Sequence, residues 1–314
     1  PSRNRTENPT KAKSPYRADR MSDKKIFRVA LVGCGTISKN HLTALSELDN
    51  IRVVALCDTD RSRAENRRRE FSLDCEIFSS YEEMLDGARP DAVHICTPHY
   101  LHCPMALAAL ARDIHVFLEK PMCMKEEEIF LLLEAERKSR AKITVCFQNR
   151  TNPSTVEAMK IAEEDGGVLS AYAAVFWYRS AAYYTESGWR GRFATEGGGV
   201  MINQAIHCLD LLCLFLGRPL SVCATTANHH LKGVIEVEDA CEGVIGFENG
   251  RQANFYATTA FPGGDSTELL LVTKHHKIEI RSPYLYLDGV QVCEESLTNC
   301  DYVGKECYGN GHRT

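Results

Sequence analysis

Short apolar runs alternate with longer amphipathic stretches from Ile26 to Arg140. That alternation predicts a parallel sheet with helices on both faces, a doubly wound α/β domain. The expected strands are Phe27 to Val32, Ile51 to Cys57, Asp91 to Cys96, Ile114 to Leu118 and Ile143 to Phe147. Helical spacing marks Ser38 to Leu48, Arg61 to Phe71, Tyr81 to Asp86, Leu101 to Ala111 and Glu126 to Arg140 between them.

Beyond Arg150 the pattern changes. A helix is expected near Thr155 to Glu164, followed by β-rich runs at Leu169 to Tyr178, Leu220 to Asn228, Ala240 to Phe247, Gln252 to Thr259 and Glu268 to Val272. Asn249-Gly250 separates two of these runs and is a strong hairpin signal. Between the first two runs lies a helix with an odd polar stripe. Ile202, Ile206, Leu209, Cys213 and Leu216 recur at helical spacing as its expected core face, while Asn203, His207 and Asp210 fall at i, i+4 and i+7 on a second face. Burying such groups without partners costs roughly 2 to 7 kcal/mol each on transfer scales, so the stripe is expected to border a polar cavity. Gly217-Arg218-Pro219 ends the helix.

Length and composition narrow the function. The chain has 314 residues, 44% of them hydrophobic, enough for two cores. Three segments follow: 1–23, polar and expected to be a disordered, non-native extension before a natural start near Met21; 24–147, the doubly wound domain; and 148–314, the second domain. A net charge of −5 supplies no basic footprint for nucleic acid. No long apolar run is present to span a membrane, and no secretory signal is recognisable, so a cytoplasmic location is expected. The fourteen cysteines are scattered, many within apolar runs, and read as buried reduced thiols. His229-His230 and His275-His276 lack a clustered ligand set, and no metal site is expected.

The candidate chemistry begins after the first strand. Gly33-Cys34-Gly35-Thr36-Ile37-Ser38 permits a tight turn and close approach of a pyrophosphate at a helix N-terminus, although Ser38 stands where a third glycine is usual. The second strand ends at Asp58, placed to bond adenosine ribose hydroxyls and to repel the additional phosphate of NADP. NAD is the expected cofactor, with NADP as the alternative through Arg61 and Arg63. Thr97-Pro98 and Glu119-Lys120-Pro121 stand at later strand ends, where ligands of such sheets bind. Lys120 reads equally as a surface ion pair or as a functional cation.

Gly33-x-Gly35 with His41, then Thr97-Pro98, Glu119-Lys120-Pro121 and Gly197-Gly198-Gly199 leading to Asn203-x-x-x-His207-x-x-Asp210, together resemble the glucose-fructose oxidoreductase, inositol dehydrogenase and rhizopine catabolism (Gfo/Idh/MocA) family. The resemblance spans Ile26 to Thr314. It implies a Rossmann-like NAD(P)-binding domain followed by an α+β domain on an open antiparallel sheet that serves substrate binding and homo-dimer or homo-tetramer formation. It implies hydride transfer between a sugar or polyol and the nicotinamide, with Lys120 and His207 catalytic. The implied cofactor set is Gly33, Gly35, Thr36, Ile37, Asp58, Thr97, Pro98, His102, Glu119 and Lys120. The implied substrate set is Asn149, Arg150, Trp189, Arg190, Asn203 and His207.

Many family members carry aspartate where this chain has Asn203, which orients a hydroxyl but brings no negative charge. Asp210 reads as structural. Trp189, Arg190, Tyr183 and Tyr184 suit either a sugar ring or a packed core. Relatives usually continue with a further helix, so truncation at the C-terminus, after Tyr308 to Thr314, is expected. The alternatives are a catalytically silent dinucleotide sensor, or another use of the cofactor such as NAD-assisted glycoside cleavage or reduction of a non-sugar carbonyl.

Overall fold

The computed structural model describes residues 25–294. The expectations for residues 1–23, for Met21 and for the C-terminal end at Tyr308 to Thr314 lie outside the described residues. The first unit runs β1 (Phe27–Val32), α1 (Ser38–Ser46), β2 (Ile51–Cys57), α2 (Arg61–Glu70), β3 (Glu76–Phe78), α3 (Tyr81–Ala88), β4 (Ala92–Ile95), α4 (His102–Leu110), β5 (His115–Glu119), α5 (Glu126–Lys138) and β6 (Ile143–Cys146). Its six parallel strands are ordered β3-β2-β1-β4-β5-β6. The order reverses between β1 and β4, and the crevice at their carboxyl ends is where ligands of such sheets sit.

The central strands are apolar throughout because both faces are covered: Ala30, Leu31, Ala55, Leu56, Val93 and Ile95 are fully buried. Local signals set the helix ends. Asp60 caps α2 by accepting from Ser62 N, Ser80 caps α3 by accepting from Glu83 N, and α5 opens on Glu126, Glu127 and Glu128 and closes on Arg137 and Lys138, matching the helix dipole.

The second unit contains α6 (Pro153–Glu164), β7 (Ser170–Phe176), α7 (Ala181–Thr185), α8 (Ile206–Leu216), β8 (Pro219–Ala227), β9 (Ala240–Phe247), β10 (Gln252–Thr258), β11 (Ser266–Val272), β12 (Lys277–Arg281), β13 (Tyr284–Leu287) and β14 (Val290–Glu294). Its open sheet is ordered β14-β13-β12-β11-β7-β10-β9-β8 and is antiparallel except between β7 and β10. Asn249 and Gly250 both take positive φ in the β9–β10 turn, as the hairpin signal requires.

Three differences from the sequence-based expectation have physical reasons. Strands β12 to β14 and the three-residue β3 are too short and too charged to stand out, as in Lys277-Ile278-Glu279-Ile280-Arg281. The core face of α8 is Cys208, Leu211, Leu212 and Leu216, whereas Ile202, Ile206, Leu209 and Cys213 are only partly buried. Apolar side chains surround this helix, so spacing alone did not single out one face. A π-helical turn over Met201–Ala205 also inserts an extra residue per turn before α8 begins. Fully burying each leucine stabilises the fold by about 1.5–3 kcal/mol, and Leu212 and Leu216 do so against a core that includes Val175, Phe255 and Leu271.

Candidate functional site

The glycine turn after β1 is built for close contact. Gly33 has φ +89°, and a Cβ there would meet Cys96 O at 2.6 Å; a Cβ on Gly35 would meet nothing within 4 Å. One glycine therefore serves the packing of β1 on β4, and the other leaves an open cradle at the start of α1. Asp58 is 8% exposed and faces this turn, accepting from Cys34 N at 2.8 Å and from Asp60 N at 2.9 Å. Arg67, which sequence spacing did not flag, braces the turn through Gly35 O at 2.9 Å and Ser38 Oγ at 3.0 Å. Thr36 is exposed and Ile37 half-buried at the same turn.

An open cradle before a helix N-terminus, with a carboxylate at the next strand end, fits a dinucleotide. Arg61 lies against Glu65 and Ile77 O, and Arg63 against Asp60, both on the exposed face of α2.

Thr97 and Pro98 are half-buried where β4 ends. His102 is fully buried and its two ring nitrogens face Pro121 O at 2.6 Å and Thr97 O at 2.9 Å. It ties the ends of β4 and β5 together instead of presenting a free nitrogen to the crevice. His99, absent from the expected set, packs its ring 4.7 Å from Trp189 and sets Nδ1 2.8 Å from Glu196 O. Burial and the nearby Lys120 hold its pKa down at about 3, so it is neutral.

Lys120 makes a further contact between the two units. Its ammonium donates to Asn203 O at 2.8 Å and to Asn203 Oδ1 at 3.1 Å, joining the end of β5 to the π-helical turn. Burial lowers the Lys120 pKa, Glu119 and Glu196 oppose that shift, and Arg190 adds to it. Asn203 Nδ2 donates to Glu196 Oε1 at 2.6 Å, and Gly191 N donates to Glu196 Oε2 at 2.5 Å. Glu196 is 1% exposed, and burial raises its pKa. A carboxylate thus stands directly behind Asn203, a feature invisible to spacing because Glu196 lies in the turn ahead of the helix whose period was read.

The glycine run supports this turn. A Cβ on Gly199 would lie 1.9 Å from Glu238 O. Glu238 Oε1 accepts from Gly199 N and Met201 N at 3.0 Å each, satisfying donors at the start of the turn. One residue past the turn and its junction with α8, His207 is 8% exposed with its ring edge-on to Phe147 at 6.3 Å.

The aromatic segment before the glycine run forms a wall. The Arg190 guanidinium lies 4.4 Å from the Tyr183 ring centroid and 4.6 Å from that of Trp189, and its buried Nε has no partner among the described residues. Tyr184 is buried in a small cluster with Leu231, Ile235 and Val237, which is a packing position. Asn149 is half-buried in the 3-10 turn Gln148–Thr151. Arg150 is committed elsewhere: it grips Asp210 bidentately at 2.7 and 2.5 Å, so both serve the junction between the 3-10 turn and α8. Asp210 is structural, as the sequence reading had it.

His230 and His276 face Asp239 and Asp288, and neither histidine pair belongs to a group of three metal-type donors among the described residues. Such a group does occur at His41, Glu119 and Cys146. The cysteines from Cys34 to Cys241 are free thiols. A cavity of about 890 Å³ lies against the sheet face carrying Val29, His94, Phe117 and Thr144, with neither Lys120 nor His207 in its lining. No helix of the described residues is long and apolar enough to cross a membrane.

Comparison with known proteins agrees with this architecture. Residues 27–147 match the oxidoreductase family with an NAD-binding Rossmann fold, and residues 154–280 match the Gfo/Idh/MocA C-terminal domain. The chain is similar to D-glucoside 3-dehydrogenase of Escherichia coli strain K12, at 28% identity over 71% of this chain and 68% of that one. It is similar to 1,5-anhydro-D-fructose reductase of Ensifer adhaerens, at 26% identity over 73% and 68%. The WlbA dehydrogenase from Bordetella pertussis, solved in complex with NADH and UDP-GlcNAcA, superposes with a TM-score of 0.76 at 30% identity, covering 83% of this chain and 75% of that one. With both domain models matched in order and the cradle and inter-unit site in place, the chain belongs to the Gfo/Idh/MocA family of NAD-dependent oxidoreductases.

Proposed function

We propose that this chain transfers a hydride between NAD and a hydroxyl or carbonyl carbon of a sugar or polyol, with Lys120 and His207 handling charge and proton. The observation that carries the reading is the Lys120 ammonium on Asn203, which joins a strand end at the cofactor crevice to the turn that precedes His207. The cradle at Gly33 and Gly35, with Asp58 beside it, holds the dinucleotide, and Glu119, Thr97 and Pro98 edge its crevice. NAD, when bound, supplies the hydride acceptor or donor at the nicotinamide.

The protein residues do the rest. Lys120 donates to the substrate oxygen and stabilises alkoxide charge as it develops. His207 takes the hydroxyl proton on its imidazole, a group whose ordinary pKa lies near working pH. Asn203 is held by Glu196 and orients both the lysine and a substrate hydroxyl. Trp189 and Arg190 offer an apolar face and a directed donor to a sugar ring, a reading supported by the unpartnered Arg190 Nε. Relatives named as sugar dehydrogenases and reductases favour this substrate class. The cysteines' free state favours a cytoplasmic location, and the open sheet supplies a surface for homo-oligomerisation.

Incubating the purified protein with NAD and a panel of inositols, aldoses and sugar acids should yield NADH, read by absorbance. His207→Ala should lower kcat by about 10²- to 10⁴-fold while leaving NAD affinity within twofold. An unchanged rate would refute the role of His207. Tight NAD binding with no turnover across the panel would favour the silent sensor.

A further inference from the structure

Glu119, which edges the crevice, ends a chain of three polar side chains from three elements, and the proposed hydride transfer assigns its two histidines no role. His94 on β4 sets Nδ1 2.9 Å from His41 Nδ1 on α1, and His41 Nε2 lies 2.9 Å from Glu119 Oε1 at the end of β5. Glu119 Oε2 accepts from the backbone N of Lys120 at 3.2 Å. His41 and Glu119 are 2% and 6% exposed, so this is interior polarity whose desolvation cost must be offset by the bonds themselves. The rings are locked by packing: His94 stacks on Phe117 at 4.6 Å, and His41 meets both edge-on.

When Glu119 is ionised it has no proton to give, so His41 Nε2 is the donor of the 2.9 Å bond between them. This holds whether His41 is neutral and takes the Nδ1 proton of His94, or cationic and gives its own.

We propose that His41 and His94 are positioning residues for Lys120, holding Glu119 as an oriented carboxylate whose negative charge keeps the adjoining lysine protonated in a buried site. The proposal rests on the catalytic assignment of Lys120 above. Lys120 meets Glu119 on its own strand, Cys146 from β6, Arg190 and Glu196 from the segment before the π-helical turn, and His99 and His102 from the segment after β4. Glu119 also meets His41, His94, Cys96, His102 and Cys146. Burial keeps the Cys96 and Cys146 thiols and His94 uncharged. Of these groups, only Glu119 and Glu196 bring negative charge to the lysine, and the histidine chain acts on Glu119.

A bound cation is the competing account, since donor atoms of His41, Glu119 and Cys146 lie within 4.8 Å of one another. The His41 to Glu119 separation of 2.9 Å argues against it. Ligands about 2.0 Å from a tetrahedral zinc stand roughly 3.3 Å apart.

The test follows Lys120 directly. Competitive acetylation of the full chain across pH, read on the Lys120 peptide by mass spectrometry, gives the lysine's ionisation without turnover. His41→Phe and Glu119→Gln should each move it down by roughly one pH unit or more, and His94→Phe by less. His41→Gln retains an N–H for Glu119 and should restore most of the shift, and the His41→Phe, Glu119→Gln pair should shift no further than Glu119→Gln alone. The alkaline limb of kcat/KM should move in parallel for any substrate found. Unmoved Lys120 ionisation in folded Glu119→Gln and His41→Gln or His41→Phe protein would overturn the proposal. So would stoichiometric zinc in the purified protein that Cys146→Ser removes. Absence of turnover with a normal labelling shift would instead count against the hydride-transfer reading.

Discussion

At the scale of single residues, the site depends on where charge is stored. Asn203 has no charge of its own, but its amide hands Glu196 Oε1 to the lysine's neighbourhood while its carbonyl oxygens hold Lys120 Nζ. Glu196→Gln would set an amide donor against either Asn203 Nδ2 or Gly191 N, forcing Asn203 to turn or lose its support. A charge-assisted bond of this kind is worth about 1.5–3 kcal/mol, so kcat/KM should fall about 10- to 100-fold, measured by steady-state kinetics. The same substitution has a stability signature. The folded-state pKa of Glu196 is raised above its ordinary 4.5, so its contribution is present in acid and lost as pH rises through the folded value. Melting curves from pH 4.5 towards neutrality should therefore decline more steeply for the native chain than for Glu196→Gln. Equal slopes would mean that Glu196 titrates normally. Glu196, His99 and His94 escaped the sequence reading because no periodicity joins them to their partners, and His41 was read only as part of the glycine-turn motif, without its contacts to His94 and Glu119. Lys120, Asn203 and His207 were legible because motif order, strand ends and one helix stripe placed them.

At the scale of elements, glycine placement separates packing from binding. Gly199→Ala drives a Cβ into Glu238 backbone, with the clash at 1.9 Å, and overpacking of this kind costs about 1–3 kcal/mol. It should lower Tm by several degrees and disturb the π-helical turn that presents Asn203. Gly35→Ala meets no atom within 4 Å and lies outside the positive-φ set. It should leave Tm within about a degree, since open-surface substitutions cost little, yet weaken NAD at least tenfold by filling the cradle. Thermal melts and NAD titration of the two variants make the check; matched losses of stability would refute the distinction. The elements themselves were legible where pattern and punctuation agreed, as for β1, β2 and the Asn249-Gly250 turn. They were not legible where apolar side chains around most of the helix blurred amphipathicity, as in α8, or where a strand was short and charged, as in β12.

At the scale of the whole molecule, we propose that a second copy pairs with the face of the second sheet that the other described residues leave uncovered. The edge strand β8 is exposed along nearly its whole length, with Leu220 60% and Val222 67% exposed. The register sets Cys223, Val244, Asn254, Tyr172 and Leu270 in one row across five neighbouring strands. All five point opposite to the buried Ile245, Ala253, Phe255 and Leu271 that face the helices. Eight strands about 4.8 Å apart and about seven residues long span roughly 34 by 23 Å, or near 800 Å² per copy. A stable dimer needs about that area from each partner, whereas an edge-to-edge contact through β8 alone would bury far less. Face-to-face pairing therefore predicts a dimer by light scattering that survives Leu220→Lys on the edge. The Val244→Glu, Leu270→Glu pair, which plants two charges in the row, should yield monomers. A monomeric native chain, or dissociation by the edge substitution alone, would exclude this face as the interface.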